Sequence, residues 1–180
     1  MKLMIISDIH GSYDDLSKVL NIYKKESFDK LIILGDILYH GPRNDLPVGY
    51  APKKVIPALN AMKNEIIAVR GNCDAEVDQM VLEFPILQDE TKLFIDHHTF
   101  YLTHGHHHDK DHLPLLNKGD ILMYGHYHVP LCEIKEDYYI FNPSSISLPK
   151  QGEKSYGVYE NNTLSIYTLD QKLVKQMSIL

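Results

Sequence analysis

The 180-residue chain has only two cysteines, Cys73 and Cys132, and only two arginines, Arg43 and Arg70, beside 16 lysines. Two cysteines are too few for a disulfide framework and fit a reducing compartment. There is no long basic run and the formal net charge is −6. A long nucleic acid is therefore excluded as the expected partner, because such binding rests on clustered Lys and Arg. No apolar stretch approaches the roughly 20 residues of a membrane span. The opening MKLMIISDIHG turns polar at Asp8 and His10, without the length or small-residue cleavage site of a signal peptide. These absences lead us to expect a soluble, cytoplasmic protein that meets no membrane.

With 44 % hydrophobic and 23 % charged residues, the chain can bury a core and reads as one domain over residues 1–180. What it has in excess is histidine. Nine of its 11 histidines lie between His97 and His128, and histidine is both a metal ligand and a proton carrier near neutral pH.

Leu3–Ile6 is a continuous apolar run that reads as a strand buried on both faces. Leu16, Val19, Leu20 and Tyr23 then recur at helical spacing, with Ser12 as the expected N-cap and Asp14 and Asp15 suited to the first turn. Leu31–Leu34 is a second buried strand, so a right-handed βαβ crossover is expected. Residues 40–53 form a Gly- and Pro-rich loop. A helix is expected over Val55–Met62, with Pro57 an awkward member, then a strand at Ile66–Val69 and a short helix at Ala75–Phe84. The later half reads as strands: Lys92–Ile95 and Thr99–Thr103 paired around Asp96–His98, then Ile121–Tyr124, Tyr138–Phe141, Ser155–Tyr159 and Leu164–Thr168. The pattern predicts an α/β fold of two packed sheets with helices outside.

The chemistry lies at the strand ends. Asp8 and His10, Asp36, Asn72, His104, and His126 and His128 each follow a short apolar strand and stand beside glycine. The carboxyl ends of strands in open α/β sheets converge on ligand sites, and glycine lets metals or phosphates approach the backbone. A lone histidine at a strand end is usually a surface residue. Seven ligand residues of three coherent types in five successive motifs are not an ordinary surface. Carboxylate, imidazole and amide oxygen suit manganese, iron, zinc, cobalt or nickel. Seven ligands exceed one ion's needs and suit two ions sharing a carboxylate, with Asp36 the natural bridge.

The series D-x-H, G-D, G-N, H-G and G-H-x-H resembles the calcineurin-like metallophosphoesterase superfamily. Within it, GDILYHGPRNDLPVGYAP and AVRGNCDAEVDQM look like the small bacterial and archaeal phosphodiesterases of the YfcE/MJ0936 type. The resemblance covers nearly the whole chain. It implies a four-layer α/β/β/α sandwich of two mixed sheets flanked by helices. It implies one ion held by Asp8, His10, Asp36 and His128, and a second by Asp36, Asn72, His104 and His126. The expected cofactors are two divalent ions, manganese first, with zinc, iron, cobalt or nickel as alternatives. The expected reaction is attack of a metal-bridging hydroxide on a small phosphodiester.

Cys73 departs from the family pattern, in which a histidine at this place is thought to protonate the leaving group. The thiol is either a weak acid in the reaction or a space filler. Asp74, next to it, follows the family pattern and is a candidate catalytic residue, expected to orient a neighbour. Arg43 is a candidate catalytic residue, and Arg43 and Arg70 are candidate phosphate or substrate contacts, as is Asn72, with loop-holding ion pairs the bland alternative for the arginines. His40 and Asn44 share the Arg43 loop. His106, His107, His108 and His112 read as a solvated loop near the entrance rather than a third metal site, and His97 and His98 as a hairpin turn. Asn142-Pro143-Ser144-Ser145 reads as support beneath the site, with Ser144 where the family has glycine. Cys73 and the scarcity of cations favour diesters over monoesters. The competing expectation is a protein-binding scaffold of the same fold, like the scaffolding subunit of retromer, whose metal motifs are partly degraded. Related proteins form homodimers or larger homo-oligomers, so self-association is an open expectation.

Overall fold

The computed structural model describes residues 1–180, and its first sheet begins with the most apolar segment of the chain. Strand β1 (Leu3–Ile6) is wholly buried. It alternates its side chains between two cores: Met4 and Ile6 face the helices, while Leu3 and Ile5 face the second sheet. Helix α1 (Tyr13–Lys25) returns the chain to β2 (Lys30–Ile33), which pairs parallel to β1. The helix buries Leu16, Val19, Leu20, Ile22 and Tyr23. Ser12 does sit at the N-cap position with extended backbone, but it caps no backbone amide. Its hydroxyl donates instead to Asp15 Oδ2 at 2.7 Å.

Helix α2 (Pro52–Asn60) begins earlier than expected, because Pro52 supplies a preset first-turn φ. Pro57 lies inside it, at the loss of one backbone rung. Strand β3 (Ile66–Ala68) is parallel to β2. Helix α3 is only Glu76–Gln79, far shorter than the ten residues expected. The Gln79 side chain takes over beyond it, donating to Leu82 O and Phe84 O and accepting from Ile86 N.

Strands β4 (Glu90–Ile95) and β5 (His98–Thr103) form the expected hairpin. Asp96 and His97 turn it with φ of 51° and 69°, the left-handed pair of a tight hairpin. Then come β6 (Ile121–Met123), β7 (Pro130–Lys135), β8 (Tyr138–Pro143), β9 (Ser155–Glu160), β10 (Thr163–Thr168) and β11 (Leu173–Ser178). One sheet runs β11-β10-β9-β1-β2-β3 and the other β4-β5-β6-β8-β7. Both are mixed. The parallel cores are β1, β2 and β3 in the first and β5, β6 and β8 in the second.

The sheets pack face to face over Leu3, Ile5, Ile32, Phe100, Met123, Phe141 and their neighbours. The helices pack on the outer face of the first sheet. On the outer face of the second, Leu113 and Leu116 of the 104–120 segment cover Tyr101, Leu122, Tyr124 and Ile140. That segment carries no regular helix. The architecture is thus α/β, two mixed sheets packed face to face with helices against the outer face of the first and the 104–120 segment against the outer face of the second. No helix is long and apolar enough to cross a membrane. Two stacked parallel cores matter most for function, because the carboxyl ends of both are available to build one site.

Candidate metal centre

All seven expected ligand residues meet at those carboxyl ends. Asp8 and His10 follow β1, Asp36 follows β2 and Asn72 follows β3; His104 follows β5, and His126 and His128 follow β6. The turns are unusual. Asp8, His10, Asp36, His126 and His128 all have φ between 47° and 63°. Side chains rarely adopt this left-handed region, and strained backbone of this kind collects at functional sites. It turns the chain sharply just beyond the end of each strand. The backbone locks the turns: Asp8 N donates to Gly35 O at 3.1 Å and His10 N to Asp36 O at 2.9 Å.

The donor atoms converge. Asp8 Oδ1 lies 3.1 Å from His128 Nε2 and 3.6 Å from His10 Nε2. Asp36 Oδ2 lies 3.6 Å from His10 Nε2 and 3.5 Å from His104 Nε2. Asn72 Oδ1 is 3.0 Å from His104 Nε2, which is 3.3 Å from His126 Nδ1. Such spacings, about 3–4 Å, are those of neighbouring ligands around an ion with bonds of about 2.0–2.2 Å. Asp36 stands between the two groups, as a shared carboxylate must.

Three histidines are fixed from behind. The Nδ1 of His10, His104 and His128 lie 2.7, 2.6 and 2.6 Å from the carbonyls of Tyr39, Leu34 and Leu148. An Nδ1–H donating to a carbonyl leaves Nε2 as a lone pair aimed at the centre, the arrangement that orients metal-bound imidazoles. The donor set therefore fits two divalent ions.

The electrostatics agree. Burial alone would raise the Asp8 carboxyl, but hydrogen bonds from His10 and His128 and the charge of His104 outweigh it and hold it well below the usual range. Asp36 is likewise lowered against burial, chiefly by His104. Burial works against His104 too, yet Asp36 and Asp8 raise it to about 9. His10 is raised, against burial, by Asp8. His126 is lowered by burial and by His104. With protein charges alone, the two carboxylates are held low and the imidazoles of His10 and His104 are raised by them.

The cavity over the centre has a volume of about 170 Å³ and is lined by His10, Asp36, Asn72, Cys73, His126 and His128 together with Gly41, Pro42, Arg43, Asn44 and Lys150. Cys73 sits at its wall, its amide donating to Asp36 Oδ1 at 2.8 Å. Burial first, then the Asp36 charge, push its thiol up to about 12, which favours the space-filling reading over the weak acid. Asp74, a candidate catalytic residue, does not line the cavity. It is buried, accepting from the amides of Asp36, Ile37 and Gly71 at 2.8, 2.8 and 2.7 Å. It ties the turn after β2 to the turn after β3 from outside the cavity lining. Arg70 also faces away: its Nε donates to Asp74 O at 3.3 Å and its guanidinium pairs with Glu76 at 4.0 Å. Its expected substrate contact is replaced by the ion-pair reading.

His40 is wedged edge-on between Tyr39 and Tyr50 and its carbonyl accepts from Asn44 Nδ2 at 2.8 Å. His106 packs on His104 and His107. His112 meets Asp109 at 3.1 Å, and Tyr127 Oη donates to Asp109 at 2.5 Å. The triads of potential ligands all lie in the main centre, and none includes His106, His107, His108 or His112. Asn142-Pro143-Ser144-Ser145 does lie beneath the centre. Asn142 Nδ2 donates to Gly125 O at 2.7 Å, and the hydroxyls of Ser145 and Ser147 donate to Asp8 O at 2.7 and 2.9 Å.

Sequence reasoning missed Lys150. Its amide donates to His128 O at 2.9 Å, while Leu148 O receives His128 Nδ1, so the segment that carries it is tied to the centre on both sides of the imidazole. No local motif marks it among 16 lysines.

Residues 1–163 match the calcineurin-like phosphoesterase superfamily domain. The chain is 48 % identical to the phosphodiesterase YfcE of Escherichia coli K12 over 181 aligned residues, covering 99 % of this chain and 98 % of that one. The solved structure of E. coli YfcE, described as a phosphoesterase, matches with a TM-score of 0.98 at 47 % identity over the whole of both chains. The phosphodiesterase MJ0936 of Methanocaldococcus jannaschii is 28 % identical over 152 residues, 79 % of this chain and 82 % of that one.

Proposed function

Because the chain belongs to the calcineurin-like phosphoesterase superfamily, we propose that it is a phosphodiesterase using two divalent ions, manganese first, held by the seven residues at the strand ends. The first ion takes Asp8, His10, Asp36 and His128. The second takes Asp36, Asn72, His104 and His126. The observation that carries this reading is the convergence of seven donor atoms from both sheets on one point, with three imidazoles fixed by backbone carbonyls. Bound there, the ions would neutralise phosphoryl charge and lower the pKa of water, supplying a hydroxide nucleophile near neutral pH for hydrolysis of the phosphodiester.

The chain's own residues do the rest. Asp74 fixes the Asp36 and Gly71 turns. Arg43 and Lys150 bring cations to the cavity from two separate segments and hold the phosphodiester anion. Asn44 and Asn72 offer neutral hydrogen bonds to its ester oxygens. Cys73 supplies no strong acid, which favours diesters with leaving groups that depart as anions unaided. The similarity to YfcE and MJ0936, both named phosphodiesterases, supports the same choice.

The test is hydrolysis of bis(p-nitrophenyl) phosphate by purified protein stripped with chelator and reloaded with manganese. Metal-dependent turnover is expected, lost on Asp36→Asn. Two ions bound per chain with no turnover would replace this reading by the scaffold.

A further inference from the structure

Beside the small polar cavity lies a second, larger depression of opposite character. Its volume is about 420 Å³, and eight of its ten lining residues are hydrophobic. Only one of the eleven residues around the metal centre's cavity is. The two share a wall, because Cys73 lines both. Tyr39, Tyr50, Ile56, Val77 and Val81 make up most of the remainder. Several are unusually exposed for apolar side chains: Tyr39 is 42 %, Val77 67 % and Val81 42 % accessible. The one acidic residue there, Asp78, is engaged by its own helix, accepting from Ala75 N at 2.9 Å.

The groove is also held in register with the centre. Tyr39 is bound through its carbonyl to His10 Nδ1, and Cys73 through its amide to Asp36 Oδ1. An apolar surface fixed relative to two residues of the centre, and continuous with its cavity, is placed to receive part of what the cavity holds. Resting on the phosphodiesterase reading, we propose that this groove binds an apolar, aryl-sized ester arm of the substrate while the phosphoryl group sits over the centre. The neutral, compact Cys73 side chain is the junction between the two subsites. The substrate class is then a diester with one apolar arm and one small polar arm.

Phenylphosphonate and methylphosphonate probe this directly, since neither can be hydrolysed and they differ only in the arm. Titrated calorimetrically into the manganese-loaded protein, phenylphosphonate is expected to bind about five- to tenfold more tightly, the gain expected when part of an aryl ring leaves water. Val77→Asn and Val81→Asn, at exposed positions and without added charge, should cut that ratio at least about threefold. They should leave methylphosphonate binding within about twofold. Equal binding of the two phosphonates by the unaltered protein overturns the proposal, and so does a ratio that both variants leave intact. A change in sedimentation on Val77→Asn or Val81→Asn, showing that the groove joins two copies of the chain, also overturns it. Calorimetry does not require turnover, so failure of the groove and failure of the phosphodiesterase reading show up separately.

Discussion

Asp74 illustrates how much of the centre depends on a residue that faces away from it. One oxygen takes the amides of Asp36 and Gly71 and the other takes Ile37, so a single carboxylate ties the end of β2 to the end of β3. Burial raises its pKa, against the pull of those amides. Asp74→Asn would set an NH2 group against at least one backbone N–H. With charge-assisted bonds worth about 1.5–3 kcal/mol each, a loss of about 3 kcal/mol in denaturant unfolding is expected, together with weakened metal binding. Cys73 makes the opposite case. A thiol pushed up to about 12 has little tendency to give its proton away at neutral pH, so Cys73→Ala should keep kcat for bis(p-nitrophenyl) phosphate within about threefold. A loss of about a hundredfold, the usual size of a general-acid contribution, would restore the acid role. Lys150 is exposed and solvated, so its contribution is that of a screened charge, about 1 kcal/mol at most. Lys150→Met should raise KM a few-fold with kcat nearly unchanged, and the effect should fade as salt is added.

At the scale of elements, the centre is made by turns more than by strands. A Cβ at Gly71 would overlap the Asp36 amide nitrogen, and one at Gly125 would overlap the Ser7 hydroxyl and come within 2.7 Å of Asp8 Oδ2. Backbone cannot yield cheaply there, so Gly71→Ala should displace Asp36 and abolish manganese binding in calorimetry, even where circular dichroism shows the sheets intact. These glycines were legible in the sequence because each stands beside a ligand at the end of an apolar run. The buried strands were legible for the same reason: β1, β2 and β6 are apolar on both faces, which few other arrangements permit. The edges were not. Strand β7 and strand β11 are half-buried or exposed along most of their length, and their pairing comes from β8 and β10 rather than from any pattern of their own. Helix α3 was overestimated because nothing local announces that Gln79 will bind three backbone groups beyond it. Arg43, Arg70 and Lys150 show the same limit at the site: chain path decides which cation faces the cavity, and motif proximity alone separates neither Arg43 from Arg70 nor Lys150 from the other lysines.

At the scale of the whole molecule, the centre joins the two sheets. Asp8, His10, Asp36 and Asn72 come from the first, and His104, His126 and His128 from the second. Any ion bound to both groups adds a cross-link to the packed core of Leu3, Ile32, Phe100 and Phe141. Binding to the folded state alone stabilises it by about 2.7 kcal/mol at a hundredfold excess over Kd. The pH dependence has a definite sign. In the ion-free protein His104 is raised from 6.5 to about 9, so its protonated form contributes stability that is fully present below pH 6.5 and is lost as pH rises through about 9. Metal requires the same imidazole neutral, and binding must expel the proton. Manganese affinity should therefore climb between pH 6.5 and about 9, with proton uptake by the buffer visible in calorimetry across buffers of different ionisation enthalpy. Over that range the melting temperature should fall in chelator and hold or rise with manganese, so the two curves diverge. Parallel curves would mean that the imidazole of His104 does not exchange its proton for the ion.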